Sequence, residues 1–237
     1  GVLVILILLV VAAIALAVWS SSRGSGNRTA ASLADAKADA RRVVERLGGQ
    51  VYTLTGTDPA SEQAMADASE RFSAASSQID QATTAKQAML AKESAIEGLY
   101  YVRAARIAMN MDPGPELETM AGQKAAGAVT EDRKVQFEGR EIEASPVPSQ
   151  RTPNYYPGGR VAGRPVPAGW YSEPWWKTAL VAGAWGVGSV LLFDALFSGM
   201  GGVGYGASGF ENGFGSGFDQ GYDQGFDQGL DAGGGDG

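Results

Sequence analysis

Neither histidine nor cysteine occurs anywhere in the 237 residues. Those two absences remove the commonest general base, the thiol nucleophile and the soft metal ligands together, and they exclude disulfide stapling. Basic residues are also missing from both ends, since all 19 Lys and Arg lie between Arg23 and Lys177. Residues 20–177 set 19 acids against those 19 bases, so the net charge of -7 comes from Asp194, Glu211, Asp219, Asp223, Asp227, Asp231 and Asp236. A middle segment that is neutral in sum lacks the basic surface that nucleic acid requires. No GxxxxGK[ST] phosphate loop is present, and Gly186-Val187-Gly188 follows no strand-like run. Gly206-Ala207-Ser208-Gly209 superficially matches the serine motif of rhomboid intramembrane proteases, whose dyad needs a histidine. The sequence therefore predicts no catalytic, metal-binding or cofactor-binding residue, no cofactor, no nucleic-acid partner and no small-molecule substrate.

Two apolar runs stand at the ends of the charged middle. Val2–Trp19 is long enough, at about 1.5 Å per residue, to cross most of a ~30 Å hydrocarbon layer. A second run extends from Thr178 to about Phe197, broken only by Asp194, which a helix would carry about 27 Å from Trp176 and so close to the outer headgroups. Trp170, Trp175, Trp176 and Lys177 read as interface anchors for this second span. Within it Ala179 and Gly183, Ala182 and Gly186, and Ala184 and Gly188 recur at four-residue spacing, a face suited to close helix contact in lipid, between the two spans or with another protein. Arg23, Arg28 and Lys37 after the first run, with Arg160, Arg164 and Lys177 before the second, place both inner flanks in the cytoplasm. The expectation is a multi-pass plasma-membrane protein with its N-terminus out, residues 20–177 cytoplasmic, the C-terminal tail out, and membrane lipid as one partner.

The middle divides by composition. Residues 20–31 form a Ser/Gly-rich linker. From Ser32, Leu33, Ala36, Ala40, Val43 and Leu47 recur at helical spacing, with Gly48-Gly49 as a stop. Thr57-Asp58-Pro59 opens a long helix, on which Met65, Phe72 and Ile79 continue in heptad phase into Met89, Ile96 and Tyr100, although Lys86, Glu93 and Arg103 also occupy the seam. It stops at Asp112-Pro113-Gly114-Pro115, with a break near Thr83-Thr84 as the alternative to one continuous helix. Residues 32–112 thus read as a coiled-coil hairpin whose Ala-rich seam buries little area and needs either a second copy or another coiled-coil protein. Residues 113–145 are irregular around a small β-hairpin turning at Glu138-Gly139. Residues 146–176 hold seven of the ten prolines and read as a semi-rigid extended segment. Residues 177–199 contain the second span, and 200–237 a tail whose tetrads run from Gly209-Phe-Glu-Asn to Gly229-Leu-Asp-Ala, Gly-rich enough to favour disorder over helix.

The segments LADAKADARRVVERLGGQVYTLTG, EGLYYVRAARIAMNMDPGPEL and YYPGGRVAGRPVPAGWYSEPWWKTALVAGAWG resemble a family of small uncharacterised actinobacterial two-span membrane proteins with a domain of unknown function. That resemblance covers nearly the full length and implies no activity. Fold class and function are accordingly expected to be a mainly α chain with two transmembrane helices flanking a cytoplasmic coiled-coil hairpin, acting as a non-enzymatic membrane scaffold that self-assembles or recruits a protein partner. The alternatives are an envelope-stress adaptor docking a phage-shock-type coiled-coil protein and an accessory subunit of a membrane complex.

Overall fold

The computed structural model describes residues 2–213, with the backbone alone at residues 2–9 and 19–23. Helix α1 (Val2–Thr53) is followed by α2 (Pro59–Gln81), α3 (Ala85–Ala108) and the short α4 (Gln123–Ala126). Strands β1 (Arg133–Phe137), β2 (Arg140–Ser145), β3 (Asn154–Tyr156), β4 (Gly159–Val161), β5 (Arg164–Val166) and β6 (Gly169–Tyr171) come next, then α5 (Lys177–Ala182), α6 (Ser189–Phe197) and α7 (Ala207–Asn212).

α1 is one helix through both the segment expected to be a linker and Gly48-Gly49. Its N-terminal side chains are exposed wherever they are described, and burial begins at Leu33 and becomes complete at Ala40 and Leu47. Gly48 does not stop the helix; a Cβ there would lie 2.7 Å from a ring carbon of Phe72, so the glycine permits α2 to approach. Gly98 does the same on α3, where a Cβ would overlap the methyl groups of Leu47.

The chain reverses between α2 and α3. Asp58 and Ser61 form a capping box at the start of α2, ahead of Pro59 in the first turn. At its end Ala82 turns extended, and Thr84 Oγ1 accepts a hydrogen bond from the Gln87 N–H at 3.2 Å while Gln87 Oε1 accepts from the Thr83 N–H at 2.8 Å. These reciprocal bonds start a new helix and reset the heptad phase. Met65 and Ile79 are buried, but Phe72, Met89, Ile96 and Tyr100 are only half-buried. Ala88, Ala91, Ala95, Leu99, Val102 and Ala105 form the inward stripe of α3 instead. The result is a three-helix bundle of α1, α2 and α3 in place of the expected two-helix coiled coil.

Residues 146–176 are not a spacer. β1, β2, β6 and β3 form an antiparallel sheet in that order, and β4 pairs with β5. Glu138 and Gly139, both at positive φ (48° and 77°), make the tight turn joining β1 to β2. Pro157, Pro165 and Pro167 are fully buried, because aromatic and β-branched residues alternate with them and draw the segment into a core. Tyr156, Val161, Val166 and Tyr171 belong to that core.

The two-span arrangement is corrected. Among the described residues no helix is long and apolar enough to cross a membrane, so the transmembrane helices and the multi-pass plasma-membrane topology expected from the sequence are not supported. In the second run α5 ends at Gly183 (φ 71°) and α6 is preceded by Gly188 (φ 92°), leaving helices of six and nine residues. Leu192, Phe193, Leu196 and Phe197 of α6 pack into the β-unit core with Met200, Val203 and Phe210. Apolarity there fills a protein interior. The expected anchors Trp170 and Trp176 are likewise interior, at 3% and 4% exposure. In the first run side chains are described only from Val10 to Val18. The tail repeats after Gly213 lie outside the described residues.

Gly98→Ala should destabilise the bundle by about 1–3 kcal/mol through overpacking against the fully buried Leu47, whereas Gly49→Ala, with nothing near its Cβ, should add up to about 1 kcal/mol. Urea denaturation followed by circular dichroism separates the two signs.

Candidate functional site

The strongest electrostatic anomaly lies where the bundle meets the β unit. Asp67, Glu70 and Arg71 project from one region of α2, since residues three and four apart share a helix face. α3 runs back alongside and supplies Glu97 and Tyr101, while Lys177 at the start of α5 closes the group from the β unit. Arg71 Nη1 stands 3.8 Å from Glu97 Oε2, and Lys177 Nζ 3.8 Å from Glu70 Oε2. Gln63 Nε2 donates to Asp67 Oδ1 at 3.2 Å, and Tyr101 lies one turn on from Glu97 along α3, beside the same small cavity.

Burial pushes the Asp67 carboxyl up to about 6, against the opposing pull of Lys177. Burial also pushes Glu97 up to about 7, with Arg71 opposing and Glu93 and Asp67 adding repulsion. Glu97 keeps 23% of its side-chain surface open, which accords with a carboxyl crowded on most sides and reachable by solvent from one. The Tyr101 and Tyr156 hydroxyls are raised well above their usual value by burial and by the neighbouring Glu97.

Asp67, Glu97, Tyr101 and Lys177 surround a cavity of only about 30 Å³, room for a single water. On its other side Glu97 opens onto a cleft of about 270 Å³, lined with Glu93, Ser94, Tyr156 and Arg160. Ser94 Oγ donates to the Leu90 carbonyl at 3.2 Å and is not poised as a nucleophile. Two coupled carboxyls near neutrality can hold and release a proton; within this enclosure they make the contact between bundle and β unit dependent on proton occupancy. Among the described residues no group of three acidic side chains is placed to hold a metal ion.

The residues expected from sequence to act together are dispersed. Ala179 is buried, Ala182, Gly183, Ala184 and Gly186 are exposed, and Gly188 sits beside Phe137, so they form no shared packing face. Trp170 enters the bundle core, Trp175 and Trp176 pack in the β-unit core, and Lys177 faces Glu70. Asp194 is exposed on α6. The sequence does not single out Asp67 and Glu97, because their burial depends on the β unit folding over them; the one local signal is Glu93, a charge interrupting an apolar seam one turn before Glu97.

Comparison of the chain with protein-family models, with curated proteins and with solved structures finds no match.

Both raised carboxyls bind protons more tightly in the folded than in the unfolded chain. Their contribution to stability is complete below about pH 4, is lost as pH rises through about 6 and 7, and changes no further above that. At about 1.4 kcal/mol per pKa unit, with coupling between the two reducing the sum, a double Asp67→Asn, Glu97→Gln variant should gain about 1–3 kcal/mol over wild type at pH 8 and nothing at pH 4. Equal differences at both pH values in urea titrations would refute this assignment.

Proposed function

We propose that this chain is a non-enzymatic interaction scaffold: a folded body of bundle and β unit carried on a helical stem through which copies of the chain assemble. The observation that supports this reading is the projection of α1 beyond the bundle. Val10, Val11, Ile14, Leu16 and Val18 are 56–62% exposed on a helix with no charged side chain between Val10 and Val18. A helix apolar on all sides requires cover, and a second copy offers a stem of identical length and chemistry. The bundle seam does not provide this surface, because α1 and the β unit already cover it within the chain. The sequence resemblance to the actinobacterial family, which implies no activity, is compatible with this proposal and belongs to it.

A second reading, recruitment of a different protein, is favoured by Val181, Val187 and Leu191, all more than two-thirds exposed on and between α5 and α6. The full chain should sediment as an oligomer, and Ile14→Glu with Leu16→Glu should convert it to a monomer of unchanged helicity. A wild-type chain that sediments as a monomer would overturn assembly through the stem, and recruitment through α5–α6 would then be tested by whether Val187→Glu abolishes capture of a partner.

A further inference from the structure

We infer that the cleft between α1, α3 and the loop of residues 109–122 is a binding site for the acidic Gly-aromatic-Asp repeats at the C-terminus of this same chain. The cleft encloses about 450 Å³, within the range of ligand sites. Arg46 of α1 and Arg103 and Arg106 of α3 supply its polar wall, and Leu99, Val102 and Leu117 its apolar surface.

Around the cleft the guanidinium groups and Asp112 make neutral contacts, while the far end of the loop is tied to α3 by the Lys92–Glu118 ion pair at 3.5 Å. Asp112 Oδ1 accepts from the Gly114 N–H at 2.8 Å, Arg103 Nη1 donates to the Pro115 carbonyl at 3.1 Å, and Arg106 Nη2 donates to Gln50 Oε1 at 2.7 Å. Among the described residues no carboxylate forms an ion pair with any of the three guanidinium groups, whereas Arg42, Arg71, Arg133 and Arg140 each have one. Asp112 is the sole acid in the lining, so the cleft retains an excess of positive charge. Guanidinium groups beside an apolar surface suit a carboxylate next to an aromatic ring, through charge-assisted hydrogen bonds and stacking.

The C-terminal segment of this chain repeats that chemistry at a fixed spacing. Phe218-Asp219, Tyr222-Asp223, Phe226-Asp227 and Leu230-Asp231 repeat every four residues with no Lys or Arg among them, and they account for most of the net negative charge. Reach is sufficient. Gly213 packs against the Gly163 carbonyl at the β4–β5 turn, and at the other end of β4 a Cβ on Gly159 would stand 4.0 Å from the Ala121 carbonyl, four residues from Leu117 of the cleft. Two four-residue steps of at most about 14 Å each put the cleft within about 30 Å of Gly213, and 24 residues follow it, whose maximum reach at about 3.3 Å per residue is about 80 Å.

The test places photoreactive p-benzoylphenylalanine at position 222 of the full chain and maps crosslinks by mass spectrometry, with mixed isotopic labels to separate contacts within one chain from those between copies. Crosslinks within one chain to Leu99, Val102 or Leu117 are expected. They should fall about tenfold when Asp219, Asp223, Asp227 and Asp231 are changed to Asn, and similarly at roughly 0.5 M salt, where charges are screened within a few ångströms. The Asn changes leave residues 2–213 intact, so the test survives any loosening of the loop in an Arg46→Gln, Arg103→Gln, Arg106→Gln variant, in which the same loss is expected. Crosslinks scattered elsewhere, crosslinks only between copies, or a yield indifferent to both the Asn changes and salt would overturn the assignment.

Discussion

Trp170 leaves the sheet that carries it and completes the core of the helical bundle, and the rest of the architecture depends on that contact. Successive residues of a strand face opposite ways, and two paired strands use this identically. In β3 Tyr155 faces the bundle and Tyr156 the β-unit core; in β6 Trp170 faces the bundle and Tyr171 the β-unit core. Tyr155 pairs with Trp170 across the strands, their rings 5.0 Å apart, and Tyr101 of α3 meets Tyr155 edge-on at 6.1 Å. A bundle whose inward positions are mostly alanine gains little apolar area from helix contacts alone. The aromatic rings from β3 and β6 supply what the helices lack, and they seat the β unit over Asp67 and Glu97.

Carboxyl burial follows from the same contact. With the β unit docked, Asp67 and Glu97 are crowded by Tyr101, Tyr156 and Lys177, and ionising them costs free energy that an open helix surface would not impose. Proton occupancy and docking are therefore linked in sign: protonation favours the closed junction, ionisation strains it. The Arg71 and Lys177 pairs soften this without cancelling it, since both carboxyls remain above their ordinary values.

How much of this was legible in the sequence differs by element. The cap at Asp58-Pro59, the helical register of Leu33 through Leu47 and the turn at Glu138-Gly139 are local signals, and the chain has a helix start, a buried stripe and a β-turn at those places. The heptad seam runs on past Ile79 in sequence because a helix interrupted by three residues can keep its spacing while reversing in space, and of the two readings the break near Thr83-Thr84 is the one the chain has. The apolar run after Lys177 is not a span, because hydropathy reports that a segment needs an apolar environment, not which one: Gly183 and Gly188 fold it onto the β-unit core. The prolines between 146 and 174 suggested extension, yet Tyr156, Val161, Val166 and Trp170 set among them carry the strand pairing. Asp67 and Arg71 share a helix face by spacing, but Glu97 could not be joined to them from sequence, since the antiparallel turn at Thr83-Thr84 and the docking of Lys177 bring the group together.

The proposed scaffold role depends on the body behaving as one unit, with the bundle unable to keep its stability once the aromatic contact is removed. Thermal unfolding of the full chain and a Trp170→Ala variant, followed at once by far-ultraviolet circular dichroism for the helices and by near-ultraviolet circular dichroism for the aromatic core, measures this directly. Coincident transitions in the wild type, with the helical transition destabilised by about 3–5 kcal/mol in the variant, are the predicted result. A helical transition unchanged by the loss of Trp170, with only the aromatic signal shifted, would show that the bundle stands without the β unit and would contradict the account.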